Sequence, residues 1–174
     1  MRALTLTQPW CGLVASGIKL VENRPRPMIK SEDFGKPFAL HASREIDEDA
    51  YGRIFEIAPE LRPEAERRWW YMLTRISSAV IAVAVIEREI HAAFDINKQI
   101  YAIEIPSRNP RRPPQQPGPI DLGDQLRWFF GRIGYVLRDV RALAEPVPCR
   151  GFQGFWTLTH DVQARVAGQL SRTA

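Results

Sequence analysis

Cysteine and histidine are scarce in this chain of 174 residues. The two cysteines, Cys11 and Cys149, belong to no Cys-x-x-Cys motif, so the sequence indicates no disulfide framework and no cysteine-based zinc site. The three histidines are His41, His91 and His160. They have no zinc-type spacing with cysteine, glutamate or one another. We therefore predict no metal site and no bound cofactor.

Long apolar runs are also missing. The longest, Ala79–Ile86, is far shorter than the roughly 20 residues that a membrane-spanning helix needs. The segment Met1–Pro9 alternates like a strand and lacks the apolar run and cleavage site of a secretory signal. The length suits one domain covering residues 1–174. We expect a single-domain cytoplasmic protein without membrane contact.

Lysine is rare, with four residues against twenty arginines. The net charge is +4 and the isoelectric point is near 9.4, so the surface favours a polyanionic partner such as RNA or a nucleotide. Arginine-for-lysine usage also follows from a GC-rich genome. The placement of the arginines, rather than their number, therefore bears on function.

The pattern of apolar residues predicts an α+β fold with six or seven strands. A short helix should run from Pro9 through Ser16 and end at Gly17, because proline suits a first helical turn and glycine a C-terminal cap. Two further helices are expected between Ile46 and Ile76, and one at Asp161–Leu170. The predicted strands are Arg2–Thr7, Leu20–Arg24, Pro37–His41, Ala79–Arg88, Tyr101–Ile105, Gly134–Val140 and Phe152–Leu158.

The segment Pro106–Pro119 holds six of the fourteen prolines and three arginines. Neither a helix nor a strand is expected to run through it, because proline lacks a backbone N–H. We predict an exposed Pro/Arg-rich loop. It is either a solvated insertion or a basic strap over a bound polyanion.

The segment Gly17–Arg24 places an ammonium, a carboxylate and a guanidinium within eight residues. Glu22 and Arg24 share one face of an extended chain, whereas Lys19 lies on the other. The three charges therefore converge only if the chain bends near Lys19 or Leu20. The alternative is a surface ion pair of Glu22 that contributes about 0 to 1 kcal/mol to stability.

Several blocks of sequence resemble the ASCH domain, a family of the PUA-like superfamily. The blocks follow the order of the family and span nearly the whole chain. They are Gln8-Pro9-Trp10, Gly17-x-Lys19-x-x-Glu22-x-Arg24, His41-Ala42-Ser43, residues 130–137 (FGRIGYVL) and residues 146–156 (PVPCRGFQGFW).

This resemblance implies a mixed PUA-like β-barrel of about six strands with peripheral helices, and a cleft beside the Gly-x-Lys-x-x-Glu-x-Arg motif. The implied ligand is RNA, a nucleoside or a nucleotide, with DNA as an alternative partner. In such a cleft Lys19 and Arg24 would hold a phosphate or a base carbonyl, and Glu22 would accept from a base amine. The remaining candidate side chains are Trp10 as a stacking face or core residue, His41 as a cleft or core residue, and Ser43.

An enzymatic alternative comes from the same resemblance. Some members of the wider family are amidohydrolases of N4-acetylcytidine that use a threonine three residues after the motif lysine. Here that position is Glu22, which cannot perform the same acyl transfer. Lys19 and Glu22 would instead activate water as the catalytic pair. A ribonuclease is a further alternative, with Lys19, Tyr51 or Ser43 as candidates.

Two aromatic and basic segments have alternative interpretations. Trp69-Trp70-Tyr71 follows two arginines, but the helical spacing to Met72 and Leu73 favours core packing over nucleic-acid binding. Arg150 and Gln153 lie between glycines in a turn where a backbone can approach a ligand closely. The alternative for that turn is a simple connection into the last strand.

Overall fold

The computed structural model describes residues 1–62, 69–94, 100–104 and 118–171. In this part of the chain there are eight strands: β1 (Arg2–Gln8), β2 (Val21–Arg24), β3 (Pro37–Ile46), β4 (Ala79–Phe94), β5 (Ile100–Glu104), β6 (Gly118–Ile120), β7 (Ile133–Pro148) and β8 (Phe155–Thr157). The α-helices are α1 (Trp10–Ala15), α2 (Ala50–Ile57), α3 (Trp69–Thr74) and α4 (His160–Leu170). Short 3-10 helices lie at Ser31–Asp33, Pro59–Leu61 and Gly123–Trp128.

The predicted α+β fold with a mixed sheet is confirmed. The main path of the sheet has six strands in the order β2-β7-β4-β3-β1-β8, while β5 pairs with β4 and β6 pairs with β5. Each predicted strand and helix has an observed counterpart, although β4 and β7 are longer than predicted and β8 is shorter.

The chain divides into two compact units, and the prediction of a single domain stays a prediction. The first unit comprises Met1–Ile18, Pro37–Ala84 and Asp139–Ala174, and the second comprises Lys19–Lys36 and Val85–Arg138. Strands β4 and β7 contribute residues to both units.

In the first unit, β1 runs parallel to β3 and antiparallel to β8. Five consecutive residues of β3, from Phe38 to Ala42, are buried, and one face of the sheet packs against α4. The core cluster of this unit contains Ala3, Ala39, Val80, Val83, Leu143, Val147, Leu158, Val162 and Val166.

In the second unit, β2 pairs antiparallel with β7, and β5 lies antiparallel between β4 and β6. Its apolar cluster consists of Val21, Ile90, Ala102 and Phe129. Gly134 on β7 leaves space for these residues, since a Cβ there would lie 2.9 Å from Val21 Cγ1 and 3.0 Å from Ile90 Cγ1.

The prediction for Pro106–Pro119 was wrong at its end. Gly118–Ile120 forms β6, with Ile103 opposite Pro119. A proline fits there because β6 pairs only with β5 among the described strands, and a missing N–H costs little at the edge of a sheet. Residues 106–117 of the predicted loop lie outside the described residues. Within the described residues, no helix is long and apolar enough to cross a membrane.

Candidate functional site

The glycine of the charged motif ends helix α1 in a Schellman motif. The Gly17 N–H donates to Val14 O (2.9 Å) and the Ile18 N–H donates to Leu13 O (3.1 Å). Gly17 has a φ of +76°, a conformation that glycine adopts without a steric penalty. The predicted helix stop is therefore confirmed.

The two cations of the motif, Lys19 and Arg24, both contact the Glu22 carboxylate. Glu22 lies on β2, with its Oε2 atom 3.4 Å from Lys19 Nζ and its Oε1 atom 3.1 Å from Arg24 NH2. Lys19 precedes the strand, and its ammonium also donates to the carbonyl oxygen of Val21. The bend that the sequence required for convergence is present, while the roles of the three side chains stay predictions.

Burial differs among these charges. Lys19 is 1% exposed and Glu22 is 7% exposed, whereas the Arg24 side chain is 24% exposed. Burial lowers the pKa of Lys19, and the neighbouring Glu22 carboxylate opposes this shift. The arrangement is a buried ion pair with one guanidinium accessible to solvent, and a mere surface ion pair is excluded.

The backbone at the bend is held on both sides. The Leu20 N–H donates to Gln125 Oε1 (2.7 Å), and Leu20 O accepts from the Leu137 N–H (2.8 Å). Two residues later, Asn23 Nδ2 donates to Trp128 O (2.8 Å). These bonds fix the chain on either side of Glu22, so its geometry is set by the fold rather than by the ion pairs alone.

A pocket of ≈ 250 Å³ lies in the second unit beside this segment. Leu20 and Val21 line it, but Lys19, Glu22 and Arg24 do not. Its apolar wall is completed by residues of β6 and β7, and its polar side chains are Glu87, Arg88, Asp121 and Gln125. The pocket is thus lined by two apolar residues of the segment and not by its charged side chains. The cleft that the resemblance implies beside the motif stays a prediction.

Trp10 and Ser43 lie in the first unit, as does His41. Trp10 begins α1 and is half-buried, and Ser43 Oγ donates to Glu45 O (2.6 Å) near the end of β3. Tyr51, the other hydroxyl considered, is 2.5 Å from Thr74 Oγ1. Burial raises the pKa of Tyr51.

His41 is buried with both ring nitrogens bonded inside the protein. Its Nε2 donates to Cys149 O (3.1 Å), which makes Nδ1 an acceptor for the Thr5 hydroxyl (3.4 Å). Burial lowers the pKa of His41. These partners favour the core alternative that the sequence left open for this histidine.

The lowered pKa of His41 predicts a loss of stability in mild acid. Between the folded pKa and the ordinary value near 6.5, the unfolded chain binds more protons, so the free energy of unfolding should fall as the pH falls. Urea unfolding at pH 7, 6 and 5 should show a shallower dependence for His41→Gln than for the wild type. His160→Gln, at the exposed start of α4, is the matched control. An equal reduction of the slope in both variants would contradict the prediction.

Sequence reasoning missed two uncharged side chains that hold the backbone, Asn23 within the motif and Gln8 beside helix α1. Asn23 stands inside the motif, and its Oδ1 also accepts from the N–H groups of Phe130 and Gly131 (3.1 Å each). Gln8 is fully buried and bonds Leu73 O and Ile76 O through Nε2. The available signal was their position within motif blocks. Among the described residues, no group of three or more His, Cys, Asp and Glu is placed to hold a metal ion.

Comparisons with known proteins gave similarities at the level of structure alone. No family model matches the chain, and no curated protein matches it. The crystal structure of ASCH from Zymomonas mobilis is similar, with a TM-score of 0.46, 14% identity, and coverage of 96% of this chain and 93% of that chain. Two single-substitution variants of that protein give TM-scores of 0.46 and 0.45, identities of 15% and 16%, and coverage of 94% and 96% of their chains. Over 96% of its length, this chain is similar to solved structures of ASCH, the family that its sequence motifs resemble.

Proposed function

We propose that this chain is an ASCH-type domain that binds RNA or a nucleotide through the charged cluster of Lys19, Glu22 and Arg24. The observation that supports this best is the sharing of one carboxylate by two cations, at 3.4 Å and 3.1 Å. The cluster carries a net positive charge, so an anionic ligand gains more from it than a neutral one. DNA is the alternative polyanion, and the cytoplasm is the proposed location.

The three side chains have different roles in this proposal. Arg24 contacts the ligand, because its side chain is 24% exposed and a guanidinium binds phosphate through a planar pair of donors. Lys19 is 1% exposed, so it acts as a positioning residue that holds the Glu22 carboxylate. Glu22 in turn orients the Arg24 guanidinium through Oε1.

The test is a fluorescence-anisotropy titration with a labelled single-stranded RNA of about 12 nucleotides at two salt concentrations. Arg24→Gln should weaken binding by roughly tenfold or more, since a hydrogen bond between charged groups contributes about 1.5 to 3 kcal/mol. The slope of log affinity against log salt should become shallower by about 0.7 for the lost phosphate contact.

Arg26→Gln is the matched control. Arg26 is exposed and lies two residues beyond Arg24, outside the charged cluster. Its substitution removes the same charge and should leave most of the affinity intact. Equal losses of RNA affinity for Arg24→Gln and Arg26→Gln would show that only the net charge matters. That result would contradict a specific binding site at Arg24.

A hydrolase acting on an acylated nucleoside or on RNA is the second candidate. It is favoured by the lowered pKa of Lys19 beside a carboxylate, since perturbed titratable groups cluster at catalytic sites. N4-acetylcytidine and RNA are therefore included in the titration and assayed for product. Turnover that Glu22→Gln abolishes while affinity persists would establish an enzyme, and binding without product would establish a binding domain.

A further inference from the structure

A cluster of aromatic and arginine side chains lies in the first unit, around the turn between β7 and β8. Phe152 is 51% exposed, so its ring is accessible to a ligand. Its ring packs edge-to-face against Trp156, with ring centroids 5.2 Å apart. The Arg150 guanidinium lies 5.5 Å from the Phe152 ring centroid. We call Arg150, Phe152 and Trp156 the aromatic patch.

Hydrogen bonds to Thr5 and His41 fix Trp156 and the start of the turn. The Trp156 indole N–H donates to Thr5 Oγ1 (3.0 Å), and the Thr5 hydroxyl contacts His41 Nδ1. The opposite ring nitrogen of His41 holds Cys149 O, at the start of the turn. Trp156 also packs edge-on against the His41 ring at 5.7 Å. The indole is therefore held in one orientation before any ligand binds.

The turn itself is held close to the same histidine. A Cβ on Gly151 would lie 2.3 Å from His41 Cε1, so only glycine allows this approach. Gly154 then turns the chain with a φ of +76°. Because this short turn is anchored at Gly151 and leads directly into β8, little ordering is needed when Phe152 and Arg150 contact a ligand.

We propose that the aromatic patch is a binding site for an unpaired base of single-stranded RNA and its adjacent phosphate. This inference rests on the proposed function, because both concern RNA binding. It adds a second binding surface, separate from the charged cluster, and specifies that the RNA is single-stranded. The base stacks on the exposed ring of Phe152, and Arg150 donates to the phosphate.

The chemistry of the patch matches this ligand. An exposed ring offers a flat face to any base, and a guanidinium over a ring combines a planar cation with a second stacking surface. Bases of a duplex are already stacked and paired, so a surface ring reaches only those of a single strand. The net charge of +4 adds a general attraction for a polyanion.

The experiment compares a labelled oligouridine of about 12 nucleotides with an abasic strand of the same length. Phe152→Leu should lower affinity for the oligouridine about tenfold and leave binding of the abasic strand unchanged. Arg150→Gln should weaken binding of both strands, because it removes a phosphate contact. Phe94→Leu and Arg141→Gln are controls, since Phe94 is 62% exposed and Arg141 is exposed on β7.

Four outcomes would overturn the inference. Three of them are a loss for Phe152→Leu no larger than that for Phe94→Leu, equal binding of both strands by the wild type, and no binding of the oligouridine. An acidic peptide whose binding depends on Phe152 and Arg150 would reassign the patch to a protein partner. Arg24→Gln separates the two proposals. If Arg24→Gln loses RNA affinity and Phe152→Leu does not, this inference alone is overturned. If Phe152→Leu loses RNA affinity and Arg24→Gln does not, the proposed role of the charged cluster alone is overturned.

Discussion

Gly12→Ala should destabilise the protein by about 3 kcal/mol or more, because helix α1 has no room for a side chain at this position. A Cβ on Gly12 would lie 2.6 Å from Thr74 Cγ2 and 2.7 Å from both Thr74 N and Cα. Two of these atoms are backbone, so α1 and α3 must move apart. Overpacking of this kind costs about 1 to 3 kcal/mol by itself.

Separation of the two helices would also break the bonds of a buried amide. Gln8 Oε1 accepts from the Gly12 N–H (2.9 Å), while Nε2 donates to Leu73 O (2.7 Å) and Ile76 O (2.6 Å). Each lost bond costs about 1 kcal/mol, and a buried group left unpaired costs more. Together these losses are a large part of a typical stability of roughly 5 to 15 kcal/mol.

Urea unfolding followed by circular dichroism measures this effect. The matched control is Gly168→Ala in α4, where a Cβ meets nothing within 4 Å, and alanine should raise stability by about 0.5 to 1 kcal/mol. Adding Thr74→Ser to Gly12→Ala removes Cγ2 but leaves the backbone atoms, so it should not restore stability. A Gly12→Ala variant within about 0.5 kcal/mol of the wild type would contradict the predicted close contact.

The secondary structure was largely predictable because local signals agreed with one another. Alternation predicted β1, and glycine at the end of a helical pattern predicted the stop at Gly17. The ends of β4 and β7 were not predicted, because polar residues such as Glu89 and Arg141 interrupt the apolar pattern where the strands continue. Strand β6 was missed since its proline argued against a strand.

The charged residues of the candidate site were predictable, but their supports were not. Lys19, Glu22 and Arg24 are neighbours in sequence, so the motif alone indicated that they could meet. Gln125 bonds Leu20 from 105 residues away, and no local pattern marks one glutamine among many polar residues. The sequence shows that a phenylalanine stands at position 152, but only the structure shows that Trp156 and Arg150 pack against its ring.

The buried ion pair of Lys19 and Glu22 should contribute little net stability, so replacing both residues together should cost less than replacing Glu22 alone. Glu22→Leu should destabilise the protein by about 3 to 5 kcal/mol, because it leaves the Lys19 ammonium buried without its carboxylate. In the double variant Lys19→Met/Glu22→Leu no buried ammonium remains. It should therefore be about 2 kcal/mol more stable than Glu22→Leu alone.

The pH dependence gives an independent measure of the same pair. Burial lowers the pKa of Lys19 and Glu22 raises it, so removing Glu22 should lower that pKa further. Between the folded and unfolded pKa the unfolded chain binds more protons, and stability therefore rises with pH. From pH 7 to 9.5, Glu22→Leu should gain more stability than the wild type, and the double variant should not share this extra gain.

Additive effects of the two single substitutions would contradict this coupling. If the double variant is stable and folded but no longer binds RNA, the pair is retained for the ligand rather than for the fold. That result follows from the proposed roles, because without Glu22 the Arg24 guanidinium loses the partner that orients it at 3.1 Å. A stable double variant with unchanged affinity would instead remove Lys19 and Glu22 from the binding site.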